Sequence, residues 1–170
     1  ASDVYKRQAI TLAAAMAMGT CAVTASAADG DKYTIGICQL VQHEALDAAT
    51  QGFKDEVTKE LGEDAVTFDE QNAQGDSNTC STIINSFVSN NVDLILANAT
   101  PALQAAAAGT SDIPILGTSV TEYGVALGLD DFNGTVGGNI SGTADLAPLD
   151  QQAAMLNELF PDAKNVGLLY

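Results

Sequence analysis

Tyr33–Leu61 reads YTIGICQLVQHEALDAATQGFKDEVTKEL, and its two halves follow different periods. Tyr33 to Cys38 is a β-branched, apolar run, the composition of a strand buried on both faces. Ala45, Leu46, Ala49, Phe53, Val57 and Leu61 then recur at helical spacing, and Gly62 follows as a C-cap. A strand feeding a helix that packs over it is the building unit of an open parallel α/β sheet.

The unit repeats downstream. Val66 to Asp69 reads as the second strand, and Asn72 to Asn78 as a polar loop. Ile83, Ile84, Phe87 and Val88 form the apolar face of a helix ending around Asn90 and Asn91. Val92 to Ala97 is the third strand, Pro101 opens an Ala-rich helix where Pro is tolerated, and Ile113 to Gly117 is the fourth strand. Four strands alternating with helices predict an α/β fold, a parallel sheet with right-handed crossovers and helices on both faces. After Thr118 the rhythm breaks. Glu122 to Gly142, rich in Gly and Asn, reads as irregular chain with a brief extended segment near Asn139 to Gly142. A helix is expected over Pro148 to Phe160 with Ala153, Leu156, Leu159 and Phe160 inward, then a strand over Val166 to Tyr170. The expected domains are residues 28–148 as a ligand-binding lobe and 149–170 as a crossover helix and first strand of a second lobe largely missing from the chain.

Upstream, Lys6 and Arg7, the apolar stretch Ile10 to Met18 and the small-residue pattern Ala25-Ser26-Ala27 read as a removable export signal within residues 1–27. The stretch is too short and Ala-rich for a membrane span, and a buried or interfacial helix is the competing reading. Ala1 to Gln8 lack an initiator Met and are set aside as an extraneous remnant. Met18-Gly19-Thr20-Cys21 offers a second processing route, with Cys21 carrying a lipid, although Met and Thr fit that pattern poorly. An export signal ahead of a parallel α/β domain points to a solute receptor outside the cytoplasm.

The net charge of −16 sharpens this. Beyond Ala27 only Lys32, Lys54, Lys59 and Lys164 are basic, so phosphate backbones and anionic lipid are repelled and nucleic acid is excluded as a partner. Cys38 and Cys80 fit either a disulfide or, more commonly, two separate buried thiols. His43 is the one imidazole and no Cys pair has ligand spacing, so neither a metal nor a cofactor is expected.

TIGICQLVQHEALDAATQGFKD, VTFDEQNAQGD, VDLILANATPALQAAA, IPILGTSVTEYG, GGNISGTADLAPLDQQ and LFPDAKNVGLLY, in this order and spacing, resemble the substrate-binding lipoproteins of ABC transporters similar to the tryptophan-type binding proteins. The resemblance covers Tyr33 to Tyr170, with Glu44 standing where a Pro is common. It implies a type I periplasmic-binding-protein fold, two α/β lobes closing on one small-molecule ligand, an amino acid and of aromatic type. It also implies a membrane permease and an ATPase as partners, an extracytoplasmic location, and membrane attachment through lipid at Cys21 only.

In such a sheet ligands meet the loops after each strand, here Gln39 to His43, Gln71 to Gly75, Asn98 to Pro101 and Thr118 to Glu122. The candidate ligand-binding residues are Gln39, Leu40, Thr100, Pro101, Thr118, Thr121 and Asp145. Thr100-Pro101 opens a helix whose free N–H groups suit a carboxylate, although Thr100 equally reads as a plain cap. Asp145, placed at the cleft by the resemblance, suits an ammonium group, or equally a helix-entry acid before Pro148. Thr118, Thr121 and Gln39 read as ligand donors or as turn-satisfying groups. His43 beside Glu44 reads as a solvated first turn rather than a catalytic pair. Two other functions are weighed: a ligand-sensing domain for a receptor kinase, and an α/β enzyme using Asp69 and Glu70 as acid and base. The enzyme reading lacks a Gly-x-Ser-x-Gly turn, a Gly-Lys-Ser/Thr loop and a dinucleotide glycine pattern, and no catalytic residue is assigned.

Overall fold

The computed structural model describes residues 32–167. β1 (Tyr33–Gln39) leads through a short loop into α1 (Glu44–Leu61), and a 3-10 turn (Glu63–Ala65) leads into β2 (Val66–Asn72). Then follow α2 (Ser77–Ser89), β3 (Leu94–Asn98), α3 (Thr100–Gly109), β4 (Ile115–Val120), α4 (Tyr123–Leu127), β5 (Ile140–Ala144) and α5 (Leu149–Leu159). The five strands form one sheet in the order β2-β1-β3-β4-β5, and every pairing is parallel. β1 is hydrogen-bonded on both edges, Ile37 standing between Glu70 and Leu96.

The two faces are filled differently. On one, α1 alone lays Phe53 and Val57 on Ile35, Ile37 and Leu96. On the other, Ile83, Ile84 and Phe87 of α2, Ala102, Leu103 and Ala106 of α3, and Tyr123 and Ala126 of α4 pack over Cys38, Ile95, Ala97 and Ile115. Gly36 permits this closeness, since a Cβ there would lie 2.7 Å from the Phe87 ring. Beside α1, over β4 and β5, the sheet keeps an open groove of about 320 Å³ lined by Phe53, Leu96, Leu116, Thr118, Ser141 and Thr143.

Several expectations need correction. β2 runs on to Asn72, and since successive strand residues face opposite sides of a sheet, Asp69 and Glu70 cannot act as a facing pair. Glu70 instead pairs with Lys54 at 2.7 Å, and Asp69 accepts from Gln71 at 3.0 Å. The segment read as irregular contains α4, whose cap Glu122 accepts from the Gly124 and Val125 N–H groups at 2.9 and 2.6 Å. Gly128, left-handed at φ 65°, closes that helix. The extended segment is β5, reaching Ala144. α5 forms as expected, but Ala153, Leu156, Leu159 and Phe160 are exposed, because the described residues supply no surface that buries them. Val166 and Gly167 are irregular, and the rest of the expected terminal strand lies outside the described residues. So do the export signal and Cys21. Among the described residues no helix is long and apolar enough to cross a membrane.

Candidate functional site

The sheet order makes β1 and β3 neighbours whose following loops diverge, the first toward β2 and the second toward β4. Such a divergence leaves a crevice at the carboxyl ends of the strands. Backbone hydrogen bonds stitch the surrounding loops into one rim. Ala73 N donates to Gln39 O at 2.9 Å, Gly75 N to Leu40 O at 2.7 Å, Leu40 N to Asn98 O at 3.2 Å, Ala99 N to Thr118 O at 3.0 Å and Asp145 N to Val120 O at 3.0 Å. Leu40, Thr100, Pro101, Thr118, Thr121 and Asp145 therefore share one end of the sheet.

Gln39 stands there too, but its side chain turns inward. Its Nε2 donates to Val41 O at 3.0 Å and Asp47 Oδ1 at 2.6 Å. Its Oε1 accepts from Thr50 Oγ1 at 2.7 Å. With both amide hydrogens and its oxygen engaged, and 4% of its surface exposed, Gln39 is a strut and not the ligand donor expected from its position. Asn98, at the end of β3, extends the same network, its Nδ2 donating to Thr50 Oγ1 at 2.9 Å and to Leu46 O at 2.8 Å. A carbonyl only accepts, so the Leu46 contact fixes which end of the Asn98 amide is nitrogen. The fully buried Oδ1 is left without a protein partner. Asn98, Thr50 and Asp47 were not singled out from the sequence. The available signal was an amide at the end of each of two apolar runs, Gln39 and Asn98.

The other half of the rim is open and strained. Four non-glycine residues among those described have positive φ; Gln74 and Ala99 lie in rim loops, and Ser119 lies near the carboxyl end of β4. Ala99, at φ 91° and ψ 157°, occupies a region that glycine tolerates and alanine does not, at a cost on the order of 1–3 kcal/mol. Ser119, at φ 55°, sits where the pairing of β4 with β5 shifts register. Such strain gathers at ligand clamps.

Ala99 is also the N-cap of α3, and no side chain caps that helix. Thr100 is its first residue rather than the cap, so the capping alternative fails on geometry. By contrast, α1 is capped by His43, whose Nδ1 accepts from Ala45 N at 3.2 Å, and α2 by Asp76, which accepts from Asn78 N at 3.0 Å. That bond is the main reason the Asp76 carboxyl is held below its ordinary range. The start of α3 thus presents backbone N–H groups and the positive end of the helix dipole to the crevice. Thr118 Oγ1 lies 3.3 Å from Thr143 Oγ1, and Thr121 and Asp145 are exposed. Burial pushes the Tyr123 phenol up, and the Asp145 charge adds to the shift.

A recess of about 570 Å³ lies along the free edge of β5, between Tyr123, Phe132, Val136, Ile140 and Leu146. Of the candidate residues it includes only Thr121. The strained backbone and uncapped helix converge on the switch point instead, and the site is assigned there. Among the described residues no group of three His, Cys, Asp or Glu side chains could hold a metal ion.

Residues 34–170 match the family described as ABC transporter substrate binding protein. Over 140 residues the chain is 43% identical to the Tyrosine-binding protein of Clostridioides difficile, covering 80% of this chain and 40% of that protein. It is similar to the ligand-free, open structure of a substrate binding protein with adhesive properties from Clostridium difficile, at 42% identity and a TM-score of 0.68. It also resembles a domain from Streptococcus pneumoniae solved with L-Trp, at 32% identity and a TM-score of 0.69. Each superposition covers 78% of this chain and 45% of the solved one, so the chain spans less than half the length of these relatives. A parallel lobe with its crevice at the β1–β3 divergence, matched over nearly all of its described length, places this chain in the ABC transporter substrate-binding protein family.

Proposed function

We propose that the chain carries the first lobe of an extracytoplasmic solute receptor for an ABC importer, and that it binds an aromatic amino acid between its switch-point rim and a second lobe. In this reading residues 28–148 are the first lobe and the chain from 149 onward begins the second, with a permease and an ATPase as partners. Residues 1–27 act as the export signal, with lipid at Cys21 as the alternative anchor. The uncapped start of α3 carries the reading. A carboxylate there accepts from free backbone N–H groups in the field of the helix dipole, and the Thr100 hydroxyl adds a donor. Asp145, on the opposite side of Thr118, supplies the charge an ammonium group needs, and Leu40 and Pro101 offer apolar contact. The aromatic preference rests on relatives named for tyrosine and solved with L-Trp.

The test is calorimetry on the two-lobed protein with L-Tyr, L-Trp and L-Leu. Micromolar or tighter binding of an aromatic amino acid is expected, with Asp145→Ala costing about 2–5 kcal/mol by leaving a buried ammonium unpaired. Binding that is indifferent to the α-ammonium group, or unchanged in Asp145→Ala, would overturn the assignment.

A further inference from the structure

Cys38 and Cys80 face each other where β1 meets α2. Gly36 and Cys38 point to the same side of the sheet because side chains alternate along a strand. Cys80 and Phe87, seven residues apart, share one face of α2. With the Phe87 ring resting on Gly36, the carboxyl end of β1 meets the amino-terminal turns of α2. Cys38 then lies on the side of β1 turned toward Cys80, and both belong to one buried cluster. Both have no exposed surface, and both are free. They are therefore unbridged, the two buried thiols that were the commoner of the arrangements read from the sequence. Solute binding uses neither, and a pair of small apolar side chains would fill the same space.

We propose that Cys38 and Cys80 form a redox-active dithiol that a soluble disulfide such as oxidised glutathione closes to an intramolecular disulfide. Cys80, one turn into α2, reacts first when that turn opens. Its thiolate attacks one glutathione sulfur, giving a mixed disulfide and releasing one glutathione thiolate, which takes up a proton. The Cys38 thiolate then attacks the Cys80 sulfur, forming the protein disulfide and releasing the second glutathione. The protein loses two electrons and two protons, and the oxidant gains them. Burial raises both thiols out of their ordinary range, so the closed lobe reacts slowly and opening sets the rate. The bond would enclose α1, β2 and the rim loops at Leu40 and Ala73–Gly75 in one covalent loop. It would stabilise the lobe by restricting its unfolded ensemble, without touching the start of α3.

The experiment is to unfold the full chain, refold it in glutathione buffer poised oxidising or reducing, and map its peptides by mass spectrometry without reduction. Oxidised protein is expected to yield a Cys38–Cys80 linked peptide lighter by two hydrogen atoms. Its melting temperature should rise by roughly 10 °C, reversibly on reduction. In Cys80→Ser the melting temperature should not respond to glutathione poise. Two alkylatable thiols after oxidising refolding, glutathione adducts without the link, a link through Cys21, or a linked form that melts lower would each overturn the proposal. Because the readouts involve no ligand, none of these outcomes bears on the amino-acid reading.

Discussion

The ends of β1 and β3 are sealed, whereas the end of β4 and the start of α3 are left open. Gln39 and Asn98 are amides at strand ends facing the crevice, yet the Gln39 amide and the Asn98 nitrogen are consumed by Thr50, Asp47, Val41 and Leu46, and the Asn98 oxygen is fully buried. A few ångströms along the same edge, Ala99 is held in a strained conformation, α3 begins without a cap, and Thr121 and Asp145 face solvent. Polarity at a strand end therefore does not identify a ligand surface. Exposed polar groups left without internal partners, next to backbone that folding alone would not choose, are the better mark.

The contrast breaks most visibly if the sealed half is damaged. Asn98→Leu removes two donors, one to Thr50 Oγ1 and one to the Leu46 carbonyl, which keeps its helical partner; a loss of about 2–3 kcal/mol is expected by urea denaturation, moderated because an orphaned oxygen also disappears. A change below about 0.5 kcal/mol would mean that the amide network does not hold the rim. Relieving the strain should act in the opposite direction. Ala99→Gly is expected to raise stability by about 1 kcal/mol, the released strain exceeding the entropy that glycine adds to the unfolded chain. A lower melting temperature would show that φ 91° carries no cost here. The smallest effect on stability is expected at Thr100. Thr100→Val should leave the melting temperature unchanged while weakening amino-acid binding in the two-lobed protein by about 1 kcal/mol. The reverse pattern would assign Thr100 to the helix and not to the ligand.

Much of the fold was legible because buried parallel strands and amphipathic helices leave strong periodic signals. YTIGICQ, the helical spacing of apolar residues in α1 and the apolar face of α2 each announced their element. The carboxyl ends of β2 and β4 were not legible, because Glu70-Gln71-Asn72 and Thr118-Ser119 are polar and are held in the ladder by neighbouring strands rather than by their own propensity. α4 was missed for a related reason: five residues are too few to show a period, and the helix rests on caps at Glu122 and Gly128. The rim itself could be located from strand ends alone. Which rim side chains face outward could not, since the inward turn of Gln39 depends on Thr50 and Asp47, supplied by the next helix. The exposure of the apolar face on α5 was equally hidden, because an amphipathic pattern states that a surface is wanted and not where it is.

The position of β1 in the middle of the sheet also has a consequence in time. Among the described strands it is the first made, but it is completed from two sides at two moments. β2 closes one edge once Asn72 has emerged, whereas the other edge awaits Leu94 to Asn98. At roughly 5–20 residues per second, vectorial synthesis leaves that second edge bare for about a second or more after β2 is in place. The lobe therefore cannot grow outward strand by strand in the order it is made. It must insert its third strand on the far side of its first, a non-local pairing that closes the sheet around its oldest segment.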